Sequence, residues 1–428
     1  MVNAESTSSP KQEHLATLYE ITRTLNSTLD LDEVLENIMD RVIEVTGAER
    51  GFLMIHEDQK DDLVFKVARG INRSDLESPE FQVSTTIVKR VVADRKGLLT
   101  DNAQFDARFA SGQSIMLLGL RSILCVPIMI KEMLIGLVYV DNRLQAGLFN
   151  AEHLALLTAF ASQSGVAIEN ARLYKVAVEK GRMEKELQMA HDIQRGLLPR
   201  VLPTIPGYEI AADWKSAREV AGDFYDCFNL PDNRLGVVIA DVSDKGAPAA
   251  IFMAVARSLI RGNALTASTP EAMLKQTNQV ILSDTQSGMF VTVYYTIVHA
   301  DGKIIGVNAG HNLPLLYHTK QQRHEFLPRG GYPLGWFEDL PVAAVEYHLE
   351  PGDVLVYYTD GLIEAENLSA EPYGEERLLD IVRSSAELPA TEILKRITDS
   401  MIAFMGAAPP FDDTTLIVVR YTGESHSE

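Results

Sequence analysis

No proline interrupts residues 151–198, and only Gly165, Gly181 and Gly196 weaken the helical pattern there. A solitary helix of that length is marginal in water, so it must lean on something. Leu187, Ala190, Gln194 and Leu197 fall at alternating spacings of three and four. That is a heptad seam, suited to a parallel coiled coil with a second copy of the chain. The seam is short and contains Gln194, so packing of the helix on its own domain fits the same pattern. Leu197-Leu198-Pro199 ends it, and Pro203 and Pro206 mark the border of the next domain. The helix therefore splits the chain into two strand-bearing halves.

With 428 residues there is room for two or three domains, each able to bury its own core. A hydrophobic content of 46% with 23% charge is that of a folded globular protein. The net charge of −20, without a basic stripe, argues against a nucleic-acid partner and is compatible with cationic cofactors. Cys125 and Cys227 lie in different halves, which excludes a disulfide framework and suits a reducing compartment. Residues 1–10 are polar and Ser-rich without an apolar signal core, and apolar runs such as 133–140 are too short to span a bilayer. The expectation is a cytoplasmic protein without a membrane span.

Residues 1–14 read as a disordered tail, followed by helical spacing of apolar residues through 15–45. Asp30 is the expected N-cap, Glu33 would complete a capping box, and Gly47 closes the helix. Strand-like segments come next at 51–56 and 63–68, then a helical piece near 85–94. Strands at 122–130 and 134–141 are joined by the polar turn Lys131-Glu132-Met133. This order, with Thr46-Gly47-Ala48-Glu49-Arg50-Gly51, Leu124-Cys125-Val126-Pro127-Ile128, Ile135-Gly136 and Phe149-Asn150-Ala151-Glu152, resembles a GAF sensory domain over residues 15–172. GAF domains cup a small molecule between sheet and helices, or dimerise. Asn142-Arg143, Phe149 and Glu152 echo the cyclic-nucleotide signature but depart from it in spacing and residue, so the ligand stays unassigned. Cys125 lies in an apolar strand, where a buried thiol, not a haem or bilin attachment, is the ordinary case.

Beyond the helix, strands are expected at 235–241, 290–299, 303–309, 313–318, 354–359 and 415–421, with helices at 248–264, 270–284 and near 390–404. Antiparallel strands with segregated helices give an α+β layered fold. Four acidic segments sit at the ends of these apolar runs: Gly222-Asp223-Phe224-Tyr225-Asp226, Asp241-Val242-Ser243, Asp360-Gly361 and Asp412-Asp413-Thr414-Thr415. Singly, each has a turn or loop-cap explanation. Together they place carboxylates at one sheet rim, where they repel each other unless cations neutralise them.

Six segments carry a second resemblance. They are Arg218-Glu219-Val220-Ala221-Gly222-Asp223-Phe224-Tyr225-Asp226, Ala240-Asp241-Val242-Ser243-Asp244-Lys245-Gly246 and Asn308-Ala309-Gly310-His311-Asn312, then Pro333-Leu334-Gly335, Tyr358-Thr359-Asp360-Gly361-Leu362 and Asp412-Asp413-Thr414-Thr415. In this order they resemble the PPM/PP2C-type serine/threonine phosphatases of the SpoIIE/RsbU branch. Ile193-Gln194-Arg195-Gly196-Leu197-Leu198-Pro199 is similar to the segment that precedes that domain. The resemblance implies an αββα sandwich over residues 200–421, a helical linker over 173–199 and a tail over 422–428.

It also implies two Mn²⁺ or Mg²⁺ ions per catalytic domain. Asp241 would bridge both, with the Val242 carbonyl completing one shell, Asp223 supporting the first ion, and Asp360 with Asp412 holding the second. Asp413 is the neighbouring candidate, and the pair stays open. Asp244-Lys245 stands where the family has Gly-His. Arg218 is a candidate phosphate clamp or a surface ion-pair residue, and His311 a candidate general acid or loop anchor. The implied function is dephosphorylation of a phosphoprotein, of the STAS-type anti-anti-sigma class. The implied regulator is the GAF domain of a homodimer answering a small-molecule or protein signal. A nucleotidyl cyclase and an inert partner-switching scaffold are the alternatives; the first lacks its purine-binding residues, and the second predicts a lost acid.

Overall fold

Apolar alternation and glycine-closed turns give antiparallel assemblies before and after the long helix in the chain. The structure, a computed structural model, describes residues 28–56, 63–71, 83–106, 108, 120–284 and 288–423. The expected tail and the expected helical turns before residue 28 lie outside the described residues, as do residues 424–428 of the expected C-terminal tail. The chain divides into two units, residues 1–182 and 183–428.

In the first unit, helix α1 (Leu31–Thr46) begins at Asp30, whose carboxylate accepts from the amides of Asp32 and Glu33, and ends where Gly47 adopts φ 63°. Glu33 does not complete a capping box. Thr28 takes its place: its hydroxyl accepts from the Asp30 amide at 3.2 Å and donates to Glu33 at 2.7 Å. Five strands come next: β1 (Arg50–His56), β2 (Leu63–Arg69), β3 (Leu98–Thr100), β4 (Ser122–Ile130) and β5 (Met133–Asn142), with α2 (Thr85–Asp94) before β3. They pair antiparallel in the order β2-β1-β5-β4-β3. Successive residues face opposite sides of a strand. Leu53, Val126 and Val138 therefore pack with α1 and the start of α3 (Ala151–Leu197), while Phe52, Cys125 and Leu137 pack with α2. Cys125 is fully buried, as its apolar strand implied.

The second unit holds two five-stranded sheets. The first orders β13 (Ala344–His348), β10 (Lys303–Ala309), β9 (Val291–Val298), β8 (Arg234–Val242) and β7 (Phe224–Leu230). The second orders β12 (Arg323–Phe326), β11 (Leu315–His318), β14 (Val354–Tyr358), β15 (Thr414–Tyr421) and β6 (Tyr208–Lys215). Val237, Ile239 and Tyr294 from one sheet share a core with Leu355, Tyr357 and Ile417 from the other. The Tyr357 hydroxyl crosses that core to donate to Thr296 at 2.8 Å. Helices α4 (Ala247–Ala264) and α5 (Pro270–Asp284) cover the first sheet. After the short α6 (Asp360–Ile363), α7 (Gly374–Ser385) and α8 (Ala390–Met405) cover the second. This is the expected αββα sandwich.

Candidate active site

The sandwich brings its acids to one rim from both sheets. The continuous apolar run of β8 carries Asp241 near its end, and on the adjacent β7 Phe224 pairs with Ala240, which places Asp223 beside it. Gly222 lies against the Val242 carbonyl, which a Cβ would approach to 3.0 Å. From the second sheet, β14 leads through Thr359 to Asp360, while Asp412-Asp413 immediately precedes β15. These two segments meet at Gly361, where a Cβ would stand 1.9 Å from the Asp413 carbonyl. Only glycine lets the turn close there. The Thr415 amide donates to the Thr359 hydroxyl at 3.0 Å, and the Thr359 amide returns a bond to the Thr415 carbonyl at 3.1 Å. The Thr415 hydroxyl then donates to Asp223 at 3.0 Å, tying the sheets together at the site.

Proton affinities record the crowding. Burial, then the charges of Asp241 and Asp413, hold the Asp223 carboxyl well above the usual range. Burial and the charge of Asp360 push Asp241 up to about 7. Asp360 is raised by burial and by Asp412, and Asp413 by burial above all. Among the described residues, no three His, Cys, Asp or Glu side chains already enclose one point. The two acids of the last pair have different partners. Asp413 accepts from the amides of Ala217 and Gly222, each at 2.8 Å, and so pins the loop before Asp223. Asp412 instead accepts from the Lys245 ammonium at 2.8 Å. The donors are all oxygen and repel one another, which fits hard divalent cations once Asp412 turns from Lys245.

His311 is buried, and burial pushes its pKa down to about 3. Its Nδ1 lies 2.8 Å from the Thr292 hydroxyl, which donates to the Asp241 carbonyl at 3.3 Å. Asn308 accepts from the His311 amide at 2.8 Å and donates to its carbonyl at 3.0 Å. A neutral, enclosed imidazole bonded in this way is a brace, so the geometry supports the loop-anchor reading of His311. Arg218 is exposed on the loop pinned by Asp413. Asp226 leaves the acid group altogether: it is buried between Arg257 at 2.9 Å and Arg261 at 3.0 Å on α4.

Sequence reasoning missed the supports of Asp223. Gln194, read as a seam residue, is buried in the second unit. Its amide donates to the Ala221 carbonyl at 2.7 Å and accepts from the Ala221 amide at 3.1 Å, as a neighbouring strand would. The Trp214 indole donates to the Asp223 carbonyl at 2.9 Å, and His191 stacks on Trp214 at 5.2 Å. The signal for Gln194 was there: a polar amide in an otherwise apolar seam.

Comparison with known proteins bears on the fold and the family of the chain. The family model of stage II sporulation protein E matches residues 231–422, and a GAF-domain model matches 28–169. The chain is 30% identical over 270 residues to protein IcfG of Synechocystis, covering 56% of this chain and 42% of IcfG. It is 30% identical over 241 residues to phosphoserine phosphatase RsbU of Bacillus subtilis, covering 56% of this chain and 70% of RsbU. The chain thus spans less than half of one relative and somewhat over two thirds of the other. Among solved structures, the SiaA PP2C domain of Pseudomonas aeruginosa matches with a TM-score of 0.52 at 22% identity, covering 57% of this chain and 99% of that domain, a likeness of fold. The chain belongs to the SpoIIE/RsbU family of PP2C-type phosphatases and carries a GAF domain ahead of its PP2C-type domain.

Proposed function

We propose that the chain is a Mn²⁺- or Mg²⁺-dependent phosphatase that removes phosphate from phosphoserine or phosphothreonine on a STAS-type partner protein. The observation that carries this reading is the meeting of Asp223 and Asp241 from one sheet with Asp360 and Asp412 from the other. The kinship to RsbU, whose name is phosphoserine phosphatase, supports the substrate class.

In this reading Asp241 would serve both halves of the metal centre and the Val242 carbonyl would complete one of them, while Asp223 would support the first half and Asp360 with Asp412 would form the second. Asp413 holds the loop. Two bound divalent ions would supply an acidified water and neutralise phosphate charge. The chain's own residues set the geometry. Thr415 fixes one Asp223 oxygen, and His311 through Thr292 fixes the strand end that carries Asp241. Arg218, exposed beside that rim, has the planar fork suited to grip a phosphate by two N–H groups. Residues 15–172 act as the sensor for a small-molecule or protein signal, and 173–199 as the connection to 200–421, in a homodimer.

Hydrolysis of p-nitrophenyl phosphate and of a phosphoserine peptide with Mn²⁺ tests the centre. The wild type should turn over only with metal, and Asp241→Asn should not; equal metal-dependent rates would sink the assignment. Deletion of residues 1–180 should alter activity or dimerisation, and a truncated chain identical in both would remove the sensor model.

A further inference from the structure

Lys245 stands in the loop between Asp241 and α4, and the loop aims it. The Ser243 amide donates to the Phe290 carbonyl at 2.9 Å, and the Phe290 amide donates back to the Ser243 hydroxyl at 2.9 Å. Asp244 then takes φ 81°, a left-handed conformation that a side chain rarely adopts, and Gly246 takes φ 81° at the start of α4. With both ends fixed, the Lys245 side chain reaches across the rim. Its ammonium lies 2.8 Å from Asp412 Oδ2, 3.4 Å from the Phe411 carbonyl, and 4.6 Å above the Phe411 ring.

We infer that Lys245 is a built-in counter-cation for the half of the site formed by Asp360 and Asp412, which a divalent ion must displace to bind there. The inference rests on the metal-centre reading above. Asp412 Oδ2 already accepts from the ammonium and Oδ1 from the Asp413 amide, and the ammonium repels an ion that shares the rim. Lys245 therefore weakens the second ion relative to the first and holds Asp412 in place when the second ion is away. The ring of Phe411 keeps the ammonium near the rim after displacement. The pair is half-exposed, with side-chain exposures of 39% for Lys245 and 31% for Asp412. Its strength is thus that of a surface ion pair, enough to change an affinity about fivefold.

The test is calorimetric titration of the full chain with Mn²⁺ alone, without substrate, for the wild type, Lys245→Gln, Lys245→Arg, Asp412→Asn and Asp241→Asn. Lys245→Gln should bind the weaker ion about fivefold more tightly, Lys245→Arg should match the wild type, and Asp412→Asn should lose the weaker ion. An unchanged or weaker second affinity in Lys245→Gln, with an unaltered circular dichroism spectrum, overturns the inference. So does a wild type that takes up a single ion. Lys245→Met provides a second neutral variant should the glutamine chain misfold. Asp241→Asn separates the two claims: if it binds Mn²⁺ as the wild type does, the metal-centre reading itself fails, whereas loss of binding there with an indifferent Lys245→Gln leaves that reading standing and removes only the lysine.

Discussion

Asp141 in the first unit and Asp223 in the second are the same residue type at nearly the same burial, 0% and 2% exposed, and their surroundings are opposite. Asp141 faces Arg50 along two parallel bonds of 2.8 and 2.5 Å. Burial raises its proton affinity and the guanidinium draws it back down. Asp223 meets a threonine hydroxyl and the charges of other carboxylates. A buried acid with its own arginine completes a fold, as Asp226 also does with Arg257 and Arg261. A buried acid set among acids stores repulsion that an added cation can release.

Four variants put that contrast at risk. Arg50→Met should have the largest effect on stability, about 3–5 kcal/mol of the first unit by chemical denaturation, because it takes from the buried Asp141 carboxyl its hydrogen-bonded partner. A loss below about 1 kcal/mol would show that the pair is not held in the folded chain. Asp223→Asn should do the reverse: a higher melting temperature in chelator, since the neutral amide ends the repulsion, and loss of the activity that the wild type shows with Mn²⁺. A lower melting temperature would contradict the crowding argument. Gln194→Ala should cost about 1–2 kcal/mol in the second unit, as both polar groups of Ala221 lose their partner. Unchanged stability would mean that the clamp is not formed. Arg218→Ala should leave stability within error and raise KM for a phosphopeptide severalfold; an unchanged KM would return Arg218 to the ordinary surface.

Much of this was legible in sequence, for physical reasons. Strand β8 read as a continuous apolar run because both of its faces are buried, and α4 announced itself by Pro248 in its first turn. Some of the overlooked strands, unlike the short apolar β3 (Leu98–Thr100), have sequences that look wet. β12 (Arg323–Phe326) and β13 (Ala344–His348) are edge strands rich in charge, as sheet borders tend to be, and no apolar run betrays them. β7 hides because Asp226 and Asn229 break its pattern, and Asp226 is buried only by virtue of arginines on a helix that starts about two dozen residues later. The acids of the site were found by position at strand ends. Their division of labour was not, since whether Asp412 or Asp413 faces the rim depends on two amides contributed by a loop far away in sequence. The seam of α3 had two readings; at its end Gln194 is buried against Ala221, so that last turn packs on the second unit.

The closeness of Gly361 to the Asp413 backbone, where an added Cβ would stand 1.9 Å from the carbonyl oxygen, bears on how such a chain can fall silent. A one-base change from glycine to alanine adds a single methyl group and alters no carboxylate. Yet that methyl cannot share space with the carbonyl, so the turn bearing Asp360 would have to lift away from the segment bearing Asp412. A descendant could keep every acid and still lose its chemistry. Telling a working relative from a decoy therefore means inspecting the smallest residue at the rim along with the charged ones.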